Sequence, residues 1–186
     1  MTDNDTVRIL GIAGSLRAGS FNRMALKAAA ELLPPGVEFE TAEIGELPLF
    51  NQDIENDPPE PVTRFKAAVE RADAVLFVSA EYNYSIPGVL KNAIDWGTRP
   101  PAKHVWRGRT AAVMGASPGM LGTARMQYHL RQVMINLGMQ AVIQPEVMIA
   151  QAAQKFADGR LADEKSREMT AKLLAALADL TRRLRE

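Results

Sequence analysis

Two loops hold the residues of this chain best suited to gripping a ligand. The first, Gly14-Ser15-Leu16-Arg17-Ala18-Gly19-Ser20-Phe21-Asn22, joins an apolar run to a segment of helical spacing. Helix N-termini present N–H groups without internal partners and the positive end of the helix dipole, and both attract phosphate. Ser15, Ser20 and Asn22 add side-chain donors, and Arg17 adds a forked cation that matches phosphate oxygens. Gly14 and Gly19 permit close backbone approach. The segment lacks the Gly-Lys-Ser/Thr ending of a P-loop, and its glycines do not follow the G-x-G-x-x-G dinucleotide pattern. A monophosphate cradle is the functional reading; a polar turn with a serine helix cap is the alternative.

The second loop, Glu81-Tyr82-Asn83-Tyr84-Ser85-Ile86-Pro87-Gly88, follows the apolar run 72–79. Main-chain N–H groups here are placed to bond the edge of a flat polar ring. Asn83 offers a donor and an acceptor, and Tyr82 or Tyr84 supplies aromatic surface for stacking or for closing the ring's edge. The alternative for each tyrosine is a loop anchor with a wet hydroxyl. A phosphate at one loop and a planar ring at the other suggest flavin mononucleotide, FMN. A third loop, 115–125, holds three glycines, with Ser117 as a donor to the ring's pyrimidine side. It would leave one ring face open. Arg125 reads either as an ordinary helix charge, as a substrate contact, or as a partner for Glu146 across a subunit contact; Tyr128 shares its helix face.

These loops need a scaffold, and strand-like and helix-like stretches alternate along the chain. Strands are predicted at 7–14, 37–44, 72–79, 109–117 and 140–149, with Pro145 favouring a bulge or an edge position. Helices are predicted at 20–34, 61–72, 87–96, 122–137 and 163–185, with Gly138 closing the fourth. Residues 45–59 read as a long surface loop. The alternation implies a parallel sheet covered on both faces, within one domain spanning 1–186. Strand order 2-1-3-4-5 is a common solution, and it puts a ligand beyond the carboxyl ends of strands 1 and 3, where the first two loops lie.

Composition narrows the chemistry. The 186 residues include no cysteine and two histidines, His104 and His129. That excludes disulfides, iron–sulfur clusters and a thiolate nucleophile, and argues against a histidine-based metal site. Formal net charge is zero, which gives no electrostatic case for nucleic acid or a membrane surface. No apolar run is long enough to span a bilayer, and the start, MTDNDTV, does not form a signal peptide, so the expected compartment is the cytoplasm.

The three motifs GSLRAGSFN, EYNYSIPGVLKNAIDW and GASPGMLGTAR occur in this order, and with them the chain resembles the NADPH-dependent FMN reductase family, especially its quinone, azo-dye and chromate reductase branch. Ala80 stands where the family usually has proline. The resemblance implies a flavodoxin-like three-layer α/β sandwich, non-covalent FMN, and NADPH or NADH as co-substrate. It implies that Ser15, Arg17, Ser20, Phe21 and Asn22 surround the phosphate and ribityl chain. Glu81, Tyr82, Asn83, Tyr84 and Ser85 would border the ring, with Ser117 joining from the third loop. It also implies dimers or tetramers, with helix 87–97 forming the dimer and Arg125, Tyr128 and Glu146 as candidates for joining dimers.

The expected function is a two-stroke NAD(P)H oxidoreductase. Nicotinamide stacks on the flavin, delivers hydride and leaves; a quinone, azo compound, metal oxyanion or free flavin then takes its place and the electrons. The protein supplies orientation, with reacting atoms about 3–3.5 Å apart, rather than an acid or nucleophile. No conventional catalytic residue is expected, and Tyr84 and Arg125 are candidate substrate contacts. The competing expectation is a flavodoxin-type electron carrier without turnover of its own. Such carriers tend to be acidic, unlike this chain.

Overall fold

The computed structural model describes residues 6–185; the polar first five residues lie outside them. A parallel sheet forms from β1 (Val7–Ala13), β2 (Val37–Ala42), β3 (Ala74–Val78), β4 (Thr110–Ala116), β5 (Gln140–Ala141) and β6 (Val147–Ile149). The order is β2-β1-β3-β4-β5, with β6 also on β4. The helices are α1 (Phe21–Glu31), α2 (Glu60–Arg71), α3 (Gly88–Gly97), α4 (Ala124–Leu137) and α5 (Glu164–Arg183). This is the expected three-layer sandwich.

Strand alternation divides the core between the two faces of the sheet. Leu10, Ile12, Val75, Phe77 and Val113 point into a cluster with α2, α3 and α4, which contains the buried Trp96 and Trp106. Val7, Ile9, Leu76, Val78 and Met114 point into a second cluster with α1 and α5. Strands 3 and 4 are buried along their whole length, which is why the predicted run 72–79 is almost continuously apolar.

The predicted fifth strand is two pieces. β5 pairs with the start of β4 (Thr110 and Ala111) and β6 with its end (Met114 to Ala116). Pro145 falls in the gap, where it has no N–H to give the ladder, and this is the edge of the sheet. The helix predicted from 122 begins at Ala124 and ends, as expected, at Gly138 with φ 66°. The loop 45–59 is pinned rather than loose: Asn92 of α3 accepts from Phe50 N at 2.8 Å and donates to Pro48 O at 2.9 Å. Residues 156–161 form a small hairpin, β7 (Phe156–Ala157) and β8 (Arg160–Leu161), around Asp158-Gly159. Its Phe156 packs against Phe21 with ring centroids 5.1 Å apart.

At the carboxyl end of the sheet the backbones crowd around Ser79. A Cβ on Gly14 would lie 2.1 Å from Ser79 Oγ, and one on Gly115 would lie 2.2 Å from Ser79 O. The Gly115 contact is with backbone, which cannot rotate away. Gly115→Ala is therefore expected to destabilise the fold by about 3 kcal/mol, as overpacking of a close-packed core does. Urea unfolding checks this; an unchanged midpoint would show that the strand ends can spread at no cost.

Candidate functional site

Three loops leave the carboxyl ends of β1, β3 and β4 and meet over the sheet. They enclose an open cavity of about 340 Å³ lined by Ser15, Arg17, Ser20, Phe21, Asn22, Glu81, Tyr82 and Ser117, together with Ala80, Ala116 and Pro118. Eight of the predicted cofactor residues are thus brought together. Asn83, Tyr84 and Ser85 lie beyond the cavity wall, in a turn at its rim. A larger hollow of about 600 Å³ lies between α3 and α4, around Ile94, His104 and Val133, and contains none of these loop residues.

The first loop is built to receive an anion. Ser20 is the N-cap of α1, and its Oγ accepts from Asn22 N at 3.2 Å and Arg23 N at 3.4 Å. Accepting through oxygen leaves the Ser20 O–H to donate. Among the described residues, the N–H groups of Ser15 to Gly19 and of Phe21 have no protein acceptor. Arg17 is exposed beside them, its guanidinium carbon 5.8 Å from the Phe21 ring centroid. Successive unpartnered N–H groups at a helix N-terminus next to a guanidinium suit a phosphate monoester.

Asn22 plays a different part from the other donors. It is 3% exposed; its Nδ2 donates to Ala116 O at 2.9 Å and its Oδ1 accepts from Ala116 N at 2.8 Å. Both ends of the amide are committed to the end of β4, so Asn22 fastens the first loop to the third. Ser117 Oγ accepts from Gly119 N at 3.1 Å, which shapes the third loop and leaves its O–H to donate. Ser15 Oγ lies 3.4 Å from Tyr82 Oη, at the seam between the first two loops.

The second loop is a two-residue hairpin. Tyr82 N donates to Ser85 O at 3.1 Å and Ser85 N to Tyr82 O at 3.0 Å, so those two amides are turned inward. The N–H groups of Glu81, Asn83 and Tyr84 have no protein acceptor among the described residues. Asn83 (φ 49°) and Tyr84 (φ 69°) both lie in the left-handed region, as a type I′ turn requires. A tyrosine there is strained by about 1–3 kcal/mol.

The Glu81 side chain is committed to α4 rather than to the cavity, which Glu81 borders. Its side chain is 5% exposed, and its Oε2 accepts from Arg125 N at 3.0 Å and Met126 N at 3.1 Å at the start of α4. Its Oε1 pairs with the Arg125 guanidinium, which lies over the Tyr84 ring, 3.7 Å from the centroid. The hydrogen bond that Arg125 donates to Glu81 is the main cause that raises the Arg125 pKa above its usual value, against a smaller opposing effect of desolvation. Arg125 is therefore paired within its own chain, and Glu146 accepts from Tyr128 Oη at 3.4 Å. Lys91 and Asp95 pair along the surface of α3 at 2.7 Å.

Sequence reading missed the apolar rim. Met120 (78% exposed), Leu121 and Leu16 stand in solvent around the loops, with Tyr84 (67% exposed) among them. The signal was the Met-Leu pair between Gly119 and Gly122, in a loop with no core to fill. It also missed His129, whose Nδ1 lies 3.1 Å from Ser85 Oγ and ties the turn to α4.

A parallel sheet of this order, with its ligand loops after strands 1, 3 and 4, defines a flavodoxin-like protein; a flavodoxin, WrbA-like protein from Agrobacterium tumefaciens shares the fold at 18% identity and a TM-score of 0.59, covering 96% of this chain and 99% of that one. Residues 7–154 match the model of the NADPH-dependent FMN reductases, and the chain belongs to that family. It is 50% identical over 185 residues to an NAD(P)H-dependent FMN reductase of Pseudomonas aeruginosa, covering 98% of this chain and 99% of the relative. It is 41% identical to an NAD(P)H:quinone oxidoreductase of Solanum tuberosum, covering 100% and 98%. Among solved structures, the flavoenzyme NAD(P)H:(acceptor) oxidoreductase FerB from Paracoccus denitrificans superposes with a TM-score of 0.88 at 38% identity, covering 96% and 98%.

Asn22→Asp tests the crosslink between the first and third loops. A buried carboxylate facing Ala116 O replaces a donor with a charge, so a loss of about 2–4 kcal/mol in urea unfolding is expected. A variant as stable as the parent would show that the amide pair contributes nothing.

Proposed function

We propose that this chain is an FMN-dependent NAD(P)H oxidoreductase that delivers electrons to quinones, azo compounds, metal oxyanions such as chromate, or free flavin. The observation that carries the reading is the row of unpartnered N–H groups at Ser15 to Gly19, in a loop whose Ser15 and Arg17 line the cavity that the Tyr82–Ser85 turn borders. The residues fit FMN: hydroxyls of Ser15 and Ser20, the α1 N-terminus and Arg17 would hold the phosphate. Tyr82, the tip of the turn and Ser117 would border the ring. Bound there, FMN supplies the capacity to accept a hydride and pass the two electrons on. The chain's own residues bind, orient and leave access. The exposed Tyr84, Met120 and Leu121 give flat apolar molecules a surface to rest on, and their openness favours nicotinamide and acceptor using one place in turn.

An electron carrier without turnover is the weaker reading. The relatives at 41% and 50% identity are named as a quinone oxidoreductase and a reductase, and the chain lacks the acidic excess typical of such carriers. Further parts of the proposal concern assembly. Residues 1–186 act as one domain. The exposed face of α3, with the hollow of about 600 Å³ beside it, is the surface for dimerisation, and Arg125, Tyr128 and Glu146 lie at a contact between dimers. No helix of the described residues is long and apolar enough to cross a membrane. The cytoplasm is the compartment we propose.

The test is a visible spectrum of the purified protein with FMN, followed by anaerobic addition of NADPH and then a quinone. A yellow protein that NADPH bleaches and the quinone recolours is expected. A yellow protein that NADPH leaves coloured would favour the carrier, and a protein that takes up no FMN would end the proposal. Arg17→Ala is expected to weaken FMN binding about tenfold, the value of one charge-assisted contact to phosphate. Unchanged FMN retention would remove Arg17 from the site.

A further inference from the structure

The start of α4 has an unusual cap. Thr123 occupies the N-cap position but makes no capping bond; its Oγ1 accepts from Gln127 Nε2 at 3.1 Å. The N–H groups of Arg125 and Met126 bond instead to Glu81, which arrives from the loop after β3. A carboxylate at that point also meets the positive end of the helix dipole. The same carboxylate holds the Arg125 guanidinium, and that guanidinium covers the ring of Tyr84. Tyr84 in turn occupies the second central position of a type I′ turn, where glycine after asparagine is preferred and a tyrosine is strained.

We propose that Glu81 is a positioning residue: by capping α4 and fixing Arg125 over Tyr84, it holds the Tyr82–Ser85 turn in its left-handed form, and so keeps the turn's outward N–H groups ready for the flavin ring. The consequence for the ring rests on the function proposed above; the latch itself is a property of the protein without flavin. Three observations support it. The Glu81 carboxylate is buried, and both its oxygens are bonded to groups at the start of α4. The strained residue is the one the guanidinium covers. Ser85, which closes the turn, is tied to the same helix through His129.

Glycine supplies the decisive comparison, because it adopts positive φ without strain. Y84G creates the Asn-Gly pair that a type I′ turn favours and that needs no latch. In the parent background, E81A is expected to weaken FMN binding, followed by quenching of flavin fluorescence, by about tenfold; in a chain already carrying Y84G the same change is expected to matter less than about threefold, a non-additivity that a direct flavin ligand would not show. Equal losses in both backgrounds would overturn the proposal, as would an E81A protein that binds FMN like the parent.

A second measurement needs no flavin. In the FMN-free protein, amide hydrogen exchange at Ser85 is expected to speed up about tenfold in E81A and to return toward the parent rate in E81A/Y84G. Arg125 and Met126 lose protection in both variants. The milder E81Q keeps an oxygen for the two helix N–H groups but loses the ion pair. It is expected to release Ser85 while Arg125 and Met126 stay protected. Ser85 exchange unchanged in E81A and E81Q would overturn the latch whether or not FMN binds. Failure of the parent to bind FMN would instead sink the functional reading and leave the exchange result standing.

Discussion

The close approach of three strand ends around Ser79 is the constraint on which the rest of this structure depends. Gly14, Ser79 and Gly115 sit side by side at the carboxyl ends of β1, β3 and β4, and a single added carbon at either glycine would collide with Ser79. Every ligand-facing loop departs from this point. Bringing the strand ends together without side chains sets the loops close enough to share one cavity. Asn22 then fixes their mutual position, because both ends of its amide are bound to Ala116 at the end of β4. The fold thus provides an anion-receiving loop and a ring-bordering turn on a common base before any ligand arrives.

Much of this was legible in the sequence because it follows from periodicity and loop composition. The apolar run 72–79 announced a buried strand, and the glycine-rich loops after strands 1 and 4 announced the ligand end of the sheet. Ser20 could be read as a cap because serine followed by helical spacing has one common explanation. Less legible were roles that depend on long-range partners. Asn22 and Glu81 were readable as polar residues near a ligand. Nothing local in the chain shows that Asn22 bonds a residue 94 positions away or that Glu81 caps a helix 44 positions on.

The split of the fifth strand illustrates the same limit from the other side. Pro145 signalled an irregular edge, and the edge is where it lies. How the chain rejoins β4 after the gap depends on which residues of β4 remain unpaired, and that is set by the sheet rather than by residues 142–146. The hairpin at 156–161 was missed in the sequence, although Asp158-Gly159 is a turn pair with a strong local preference. Its two-residue strands are too short to show alternation, and the turn pair alone does not mark strands.

The two borders of the sheet carry a consequence for how the molecule behaves in a crowded solution. An uninterrupted, uncharged border strand invites another chain to add to it, strand upon strand, toward fibrils. Here one border, β2, displays Glu38 and Glu40, which pair with Arg8 and Arg71. The other is cut into pieces of two and three residues, with a proline between them that offers no donor. Neither side presents a ladder for unlimited growth, so the parallel sheet that carries the ligand loops is shielded from polymerisation along its own hydrogen-bonding direction.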